Sequence, residues 1–436
     1  MNRLLRTLAV GLLCLAVLLG CVPRASAAGF RDVPTDAYYY PAVLWATGEG
    51  ITHGARPDLF NPNGLCTRAH ALTFLWRAKG CPEPTTMSTH FTDVEQGRWY
   101  TKAVLWAAEN GIAAGTSKTT FSPNRNATRA EVVTFIWRTL GKPAYHQTAG
   151  FTDVVDGAYY YKAVQWAVEA RVVTGTSSKQ FSPESPSTRA QTVTFLYRAY
   201  DAVPRAQALE SALRTAIAAQ PGTWSVYLYQ PNSNILINLN PQRLPAASLI
   251  KLYVAGACEE AIAAGSLPAS IEKNVMDPML IQSSNYCCNY LIDQLTMAGI
   301  NRFITQRGYP GTSLGRKMGG TGSGENYTMP EACCRVLQEV NSGTYVNAAA
   351  SAHILQDLLN QERRTKIPAG IPSGIAVGNK TGETSTSQHD AAVVFAPAGT
   401  YYLCVMNVNF ASSSAAVKAI AALSKTVYDS IGRLPS

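Results

Sequence analysis

The sequence has few charged residues, few histidines and no concentrated basic run. Only 15% of its 436 residues are charged, and its lysines and arginines are scattered, so we expect no nucleic-acid partner. Its six histidines show no ligand spacing, so we expect no metal site, and no cofactor. Beyond the N-terminus no apolar run is long enough to span a bilayer, so we expect no transmembrane span in the mature chain.

The N-terminal segment, residues 1–27, has the features of a secretory signal peptide. Arg3 and Arg6 precede an apolar run, and a small-residue segment ending at Ala27 is typical of a cleavage site for export. A lipoprotein signal ending at Cys21, which would be acylated, is the minority alternative because leucine before its glycine is not the favoured small residue. We therefore expect an exported protein.

Length, charge and cysteine content are consistent with an exported multidomain protein. A chain of 436 residues has room for two or three domains, and 47% of its residues are hydrophobic. Its formal net charge of +9 suits an anionic wall polymer better than nucleic acid. Export permits disulfides among the cysteines that follow the signal peptide, but burial as free thiols is an equally open alternative.

The region from residue 28 to residue 203 contains a sequence unit that occurs three times. A Phe-x-Asp-Val motif opens each unit, and an arginine follows a threonine later in each unit, always about 60 residues apart. The residue pattern of each unit predicts a first helix with a buried tryptophan, then a glycine-containing loop, and then a second helix capped by the threonine. The tryptophans, which we expect in the core, are Trp45, Trp106 and Trp166.

This unit resembles the S-layer homology repeat. The Thr-Arg-Ala-Glu motif of that repeat is complete in the second copy, at residues 128–131, whereas His70 and Gln191 replace the acid in the other two. The resemblance implies a mainly helical three-repeat bundle that binds an anionic secondary cell wall polysaccharide in grooves between repeats. The predicted repeats are residues 28–82, 83–145 and 146–203.

The repeated arginines are the residues that we expect to contact this polymer. Arginine at the start of a helix offers a bidentate donor and a positive site for carboxylate groups. A single arginine there is ordinarily a solvated helix-start residue, but three copies at one register on an exported chain favour binding. The predicted polymer-binding residues are Arg68, Arg129 and Arg189.

In the C-terminal half, a serine and a lysine lie where a helix is expected to begin. Two predicted strands, Trp224–Tyr229 and Ile235–Leu239, precede Ser248, and a long apolar helical run follows it. Lys251, about one turn later, lies on the same face and could take the proton of the serine hydroxyl. A second Ser-x-x-Lys sequence, at residues 270–273, lacks both flanking features.

Two further motifs follow in order: Ser283-Ser284-Asn285, and Lys380-Thr381-Gly382 after a strand predicted at Ile375–Asn379. Together the three motifs resemble those of the class A β-lactamase-related serine hydrolases, which include penicillin-binding proteins. The resemblance covers residues 204–436 and implies an α/β (α+β) domain with an antiparallel sheet flanked by helices. We therefore expect a multidomain protein.

The resemblance implies that Ser248 is a nucleophile, Lys251 its base, and Ser283 the relay that passes a proton to the leaving nitrogen. The implied substrates are β-lactams or D-alanyl amides. It also implies that Asn289 braces a neighbouring loop. The pair at residues 389–390 is expected to be structural.

The same resemblance assigns the substrate-binding residues. Asn285 would hydrogen-bond the substrate amide, and Lys380 and Thr381 would bind its carboxylate. Gly382 would let the substrate approach the strand edge. The oxyanion would rest between the backbone N–H groups of the nucleophilic serine and Glu383.

One expected part of the family pattern is missing. Its Glu-x-x-Leu-Asn loop, whose glutamate activates the deacylating water, is replaced by a glycine-rich segment in which Glu325 is the only carboxylate. We expect Glu325 to cap a helix beginning near Thr328, and turnover on β-lactams to be slow. The alternatives are a D,D-peptidase-type wall enzyme or a catalytically weak wall-binding or penicillin-binding module. For each of these alternatives we expect the protein to be located at the cell wall or cell surface of a bacterium.

Overall fold

The computed structural model describes residues 29–320 and 323–434, so the predicted signal peptide and Cys21 lie outside the described residues. The chain divides into two compact units. One contains the residues up to Phe135 together with Pro183–Thr194, and the other contains Ile136–Ser182 together with Phe195 and all that follows. Because this division does not coincide with the repeats, the domain boundaries given above remain predictions. No helix in the described ranges is both long and apolar enough to cross a membrane.

Two helices recur in each repeat, as predicted. The second helix of each repeat is capped by its threonine, whose hydroxyl accepts the backbone N–H three residues later. The three predicted tryptophans are 7–8% exposed, which confirms that they belong to the core. The helices are Tyr40–Gly48 (α1), Arg68–Ala78 (α2), Thr101–Glu109 (α3), Arg129–Thr139 (α4), Tyr161–Glu169 (α5) and Arg189–Tyr197 (α6).

A closed ring of backbone hydrogen bonds lies just before the second helices of the repeats. The N–H of Cys66 donates to Ser187, that of Ser187 to Ala127, and that of Ala127 back to Cys66, at 2.8–2.9 Å. Each repeat thus contributes one donor and one acceptor, which satisfies these buried backbone groups. All three residues belong to the first unit, where the ring gives the helix starts a pseudo-threefold arrangement.

The second unit contains a five-stranded antiparallel sheet and a two-stranded ribbon. The order in the larger sheet is β2-β1-β7-β6-β5, and β3 pairs with β4 in the ribbon. The strands are Thr223–Gln230 (β1), Ile235–Leu239 (β2), Leu244–Pro245 (β3), Tyr327–Thr328 (β4), Val377–Glu383 (β5), Ser387–Val394 (β6) and Tyr401–Val408 (β7).

Helices cover the sheet on both faces. Every residue of β6 and β7 is buried, which requires cover on each side of these central strands. This confirms the predicted class, a helical repeat region with an α/β domain whose antiparallel sheet is flanked by helices. The helices are Val203–Ala218 (α7), Lys251–Ala263 (α8), Asp277–Ile281 (α9), Asn285–Leu295 (α10), Met297–Gln306 (α11), Pro330–Ser342 (α12), Ala348–Leu359 (α13) and Ser413–Val427 (α14).

Two local features differ from the prediction. The strand expected at Ile375–Asn379 is β5, which begins later and continues through Glu383, because Thr381 pairs with Asp390 of β6. The Lys-Thr-Gly motif therefore lies inside a strand rather than after it. The apolar helix expected from Leu249 begins instead as a 3₁₀ turn, which tightens the chain before α8.

The eight cysteines of the described residues are free thiols. Six of them are buried, in helices, in a strand or beside the backbone ring. Of the two alternatives left open by the sequence, the structure therefore shows packing as small hydrophobic side chains.

Candidate functional site

Ser248 lies in the 3₁₀ turn Ala247–Ile250, between β3 and α8, and its side chain is largely buried. Ala247 has a φ of 45°, a left-handed conformation that is costly for a residue with a Cβ. The preceding residue, Ala246, is tied on both sides, since its N–H donates to Asn326 and its carbonyl accepts from Leu249. Strain of this kind persists where the surroundings fix the backbone, and it often occurs at functional sites.

Lys251, the first residue of α8, has a fully buried side chain. Its Nζ donates to the backbone oxygen of Ser283 at 2.6 Å, to Asn285 Oδ1 at 2.8 Å and to Ser283 Oγ at 3.3 Å. Among the described residues, no hydrogen bond joins this amine to the Ser248 hydroxyl. The predicted base is therefore held by the second motif, one helical turn from the predicted nucleophile.

The hydroxyl of Ser283 lies between two buried amines. Lys380 Nζ donates to Ser283 Oγ at 2.8 Å and to the carbonyl of Thr381 at 3.1 Å. Ser283 itself has a φ of 63°, a second strained residue that is not glycine. The structure thus brings residues of all three sequence motifs together around one side-chain oxygen.

Burial changes the acid–base chemistry of both lysines. It lowers the pKa of Lys251 to about 8, because the charged form loses its hydration. Burial, followed by repulsion from Lys251, holds the pKa of Lys380 well below its ordinary value. A lysine with a lowered pKa has more free amine near neutral pH, which is the form that can accept a proton.

Packing inside the protein gives a reason for glycine at position 382. A Cβ at this position would lie 3.1 Å from the carbonyl oxygen of Ala246 and 3.3 Å from Cβ of Ala247. The glycine therefore lets β5 approach the turn that carries Ser248. Approach of a substrate to the strand edge, the reason expected from the sequence, remains a prediction.

Two basic residues near the end of β5 were not predicted. Lys366 is fully buried and its Nζ lies 2.9 Å from Glu383 Oε1, while Arg363 Nη1 lies 2.7 Å from Glu383 Oε2. Although partial burial opposes ionisation of Glu383, these two cations lower its pKa. The Glu383 side chain is thereby held by two cations at the end of β5. No short motif marks these residues, since Arg363 and Lys366 lie far from Glu383 in sequence.

The pair at residues 389–390 is structural, as predicted. Burial lowers the pKa of His389 to about 4, so the ring is neutral near pH 7; Nε2 lies 2.9 Å from the Pro245 oxygen and Nδ1 accepts from Asn407 N–H. Asp390 accepts from Asn379 and from the backbone of Ile367, and burial raises its pKa to about 6. Both side chains brace the segment before Ser248 and the strand β5.

The three repeat arginines are buried rather than exposed, each being 3–7% accessible. Arg68 donates to the carbonyls of Phe121 and Ala114 and forms an ion pair with Glu131 of the next repeat. Arg189 donates to the carbonyl of Phe60 and to Thr52. The acid of the complete motif therefore contacts the arginine of the preceding repeat. Sequence spacing alone could not indicate that the acid of one repeat pairs with the arginine of another.

Comparison with known proteins identifies both parts of the chain. Residues 269–431 match the β-lactamase enzyme family, and residues 29–72, 90–133 and 150–193 match the S-layer homology domain. The chain carries three S-layer homology repeats and a β-lactamase-family domain. Because the β-lactamase match begins after Lys251, the assignment of Ser248 and Lys251 depends on their position in the structure.

Several relatives are similar over part of their length. The chain is 36% identical over 111 residues to an endoglucanase of Bacillus sp. strain KSM-635, covering 26% of this chain and 12% of the relative. It is 25% identical over 195 residues to an S-layer protein of Bacillus thuringiensis subsp. finitimus, covering 43% and 23%. A cellulosome-anchoring protein of Acetivibrio thermocellus is 26% identical over 155 residues, 34% of each protein. The chain thus covers about a third or less of these relatives.

Solved structures similar to this chain include a β-lactamase from Sphaerobacter thermophilus, with 23% identity and a TM-score of 0.48 over 53% of this chain and 99% of that one. A structure of PBP-A has 21% identity and a TM-score of 0.47 over 51% and 95%.

The glycine-rich loop of the β-lactamase-family domain is held by side chains at both ends. Asn289 makes two hydrogen bonds with the backbone of Met318, which confirms that it braces this loop. The predicted cap at Glu325 is wrong. Its carboxylate forms an ion pair with Arg316, 3.1–3.2 Å away, and the next helix, α12, begins only at Pro330.

The role of Gly382 can be tested by comparing it with a second glycine of β5. An added Cβ at Gly378 would be 3.2–3.3 Å from side-chain atoms of Val393 and Leu358, a similar crowding away from the Ser248 turn. We expect Gly382→Ala and Gly378→Ala to destabilise the fold comparably, by about 1–3 kcal/mol. Only Gly382→Ala should disturb the Ser248 turn, and we propose that it thereby slows any covalent labelling of the chain by a fluorescent penicillin, by about tenfold or more. Equal labelling of both variants would contradict this role.

Proposed function

We propose that this protein is an exported serine acyl hydrolase, anchored at the cell wall or surface and acylated at Ser248 by β-lactam or D-alanyl amide substrates. The observation that carries the proposal is the convergence of Lys251 and Lys380 on the hydroxyl of Ser283, next to the Ser248 turn. Two buried amines at one hydroxyl have no advantage for stability, because each loses hydration and the two charges repel. Perturbed groups of this kind cluster at active sites.

The proposed reaction begins with proton transfer. The free amine of Lys251 accepts the proton of Ser248 while Oγ attacks the carbonyl carbon, forming a C–O bond and an oxyanion. We place this oxyanion between the backbone N–H groups of Ser248 and Glu383. Loss of one such donor typically slows a reaction by about 10²–10³-fold.

Ser283 is suited to the second proton transfer. A hydroxyl has two acceptor lone pairs and one proton to donate, and here both lysines donate to its oxygen. Its own proton is therefore directed elsewhere. In the proposed step Ser283 gives this proton to the leaving nitrogen as the C–N bond breaks, and an adjacent ammonium restores it. The products are an acyl ester on Ser248 and a free amine.

The same contacts support the proposed substrate-binding roles. Asn285 Oδ1 accepts from Lys251, which leaves its NH₂ group to donate to the substrate amide carbonyl. Lys380 and Thr381 are neighbours on the strand β5, and the amine and the hydroxyl can both donate hydrogen bonds to a substrate carboxylate. We propose that these two residues bind that carboxylate.

Acylation provides the direct test of this assignment. Incubation of the full chain with a fluorescent penicillin should increase its intact mass by that of one penicillin molecule. The Ser248→Ala variant should form no such adduct. Lys251→Ala should remove it almost as completely, because members of one catalytic unit are not additive. Lys273→Ala changes the lysine of the second Ser-x-x-Lys sequence and should label normally. An adduct that persists in Ser248→Ala would exclude Ser248 as the nucleophile.

Turnover on β-lactams is proposed to be slow. General-base activation of the deacylating water is worth about 10²–10⁴-fold, and the loop that supplies this base in the family is absent here. Glu325, the carboxylate of the segment that replaces it, is held by Arg316.

A D-alanyl peptide loses its leaving group, so water or an amine could enter more readily; a D,D-peptidase-type enzyme is therefore the second candidate. A penicillin-binding module without turnover is the third.

Pre-steady-state kinetics distinguish these candidates. A chromogenic cephalosporin should give a burst of about one equivalent, then slow turnover with an acyl-enzyme that intact mass detects for minutes. Glu325→Gln should leave both phases nearly unchanged, since the side chain serves to hold the loop. Rapid hydrolysis without a burst, abolished by Glu325→Gln, would instead show a working β-lactamase.

We propose that the repeats bind an anionic secondary cell wall polysaccharide, and that Arg68, Arg129 and Arg189 contribute by shaping its grooves. Arg68 holds the carbonyl of Ala114, in a loop that lines a cavity of about 450 Å³ together with His90 and Lys118. A buried arginine can thus position the loop while an exposed cation contacts the polymer. The similarity of the chain to a surface-layer protein and to a cellulosome-anchoring protein supports this proposal.

Wall binding can be measured by sedimentation of the full chain with purified sacculi. Binding should require the secondary polymer and be lost when that polymer is extracted. Lys118→Ala should weaken binding by about fivefold, which corresponds to about 1 kcal/mol for one exposed ion pair. Lys102→Ala, a surface lysine paired with Glu83, is the matched control and should bind normally. Equal binding to stripped peptidoglycan would argue against the polymer as ligand.

A further inference from the structure

A second cluster of polar side chains lies at the far end of α8 from Lys251. His353 lies between two carboxylates: Nδ1 is 2.9 Å from Glu259 Oε1, and Nε2 is 2.9 Å from Asp277 Oδ1. Asp357, one helical turn after His353 on α13, places Oδ2 3.8 Å from Nε2. These residues come from α8, α9 and α13, and the reaction proposed above uses none of them.

The distances between the side-chain oxygen and nitrogen atoms of this cluster match those between the ligand atoms of a bound cation. One oxygen each of Asp277 and Asp357 and one ring nitrogen of His353 all lie within 4.8 Å of one another. Tetrahedral ligands about 2.1 Å from a metal are about 3.4 Å apart, and the two distances to Nε2, 2.9 and 3.8 Å, lie on either side of that value. The positions of His353 and Asp357 at i and i+4 place both on one face of α13.

A buried carboxylate oxygen in this cluster lacks a hydrogen bond. Asp357 is 3% exposed, and its Oδ2 makes no hydrogen bond within the described residues. A buried carboxylate oxygen in this state is costly and calls for a ligand. Among the described residues, His353 forms ion pairs with Glu259, Asp277 and Asp357, and a fourth acid, Glu272, lies close by. This leaves an excess of negative charge that a divalent cation would neutralise.

We propose that Asp277, His353 and Asp357 bind a divalent transition-metal ion. Glu259 is 3% exposed and accepts the Nδ1–H of His353, which directs Nε2 toward the ion, as the carboxylate partners of metal-binding histidines do. Binding releases the Nε2 proton to solvent. One imidazole nitrogen with two carboxylate oxygens suits Zn²⁺ or Mn²⁺ better than Mg²⁺ or Ca²⁺.

The ion would tie together three elements of the β-lactamase-family domain. Helix α8 begins at Lys251, and α9 ends at Ile281, two residues before Ser283. The site would therefore stabilise the framework that carries the Ser248 site without contacting a substrate. The sequence did not indicate this site because most of the acids near His353 lie on other elements. Only Asp357, four residues after His353, is close to it in sequence.

The proposal is tested with Zn²⁺ and Mn²⁺ added to the metal-free full chain. Mn²⁺ is included because free thiols bind it weakly, whereas they also bind Zn²⁺. We expect one equivalent to bind and to raise the unfolding midpoint by several degrees. Asp357→Asn and the more exposed Asp277→Asn should each weaken binding by about 100-fold or more. His146→Gln, which changes an exposed histidine paired with one glutamate, should bind normally.

Two outcomes would overturn the proposal. One is the absence of saturable binding of either ion up to millimolar concentration. The other is one-equivalent binding of both ions that is unchanged in Asp277→Asn and Asp357→Asn. Because Asp277 lies at the solvent edge, its amide variant should fold even if the buried substitution does not.

Discussion

The β-lactamase-family domain depends on the burial of two amines against one hydroxyl. Lys251 and Lys380 are both inaccessible to solvent, and both donate to Ser283. Such an arrangement is unfavourable on its own, because burial removes hydration and like charges repel. It persists because hydrogen-bond acceptors surround each amine. Burial lowers the pKa of both lysines, and the free amine of Lys251 is therefore present near neutral pH. The chemistry proposed for Ser248 follows from this constraint.

The rest of the domain holds that arrangement in place. His389 fixes the carbonyl of Pro245, and the absence of a side chain at Gly382 lets β5 approach the Ser248 turn. Lys366 and Arg363 hold Glu383 at the end of the same strand. A comparable principle operates in the repeats, where buried arginines bind backbone carbonyls of a neighbouring repeat and support the groove loops.

Local patterns predicted much of the fold, while contacts between distant elements could not be predicted. Strand β2 was predicted to the residue, and residues of the three sequence motifs do meet at Ser283. The burial of Arg68 was missed because its acid belongs to the next repeat. Glu325 was misassigned because its partner is Arg316 of the same loop, a pairing that helix-capping rules do not consider. Lys366 has no sequence signature, and the cluster around His353 has only the local spacing of His353 and Asp357, since the other partners are brought close only by folding.

The most direct test of this account is the pH dependence of acylation by a penicillin, measured in single turnover on the full chain. The free amine of Lys251 is the proposed base, and its fraction rises with pH. The rate should therefore increase about tenfold per pH unit below a midpoint near 8 and level off above it, because burial lowers the pKa of Lys251 to about 8. A rate that is constant from pH 6 to pH 9 in the folded protein would contradict the central claim.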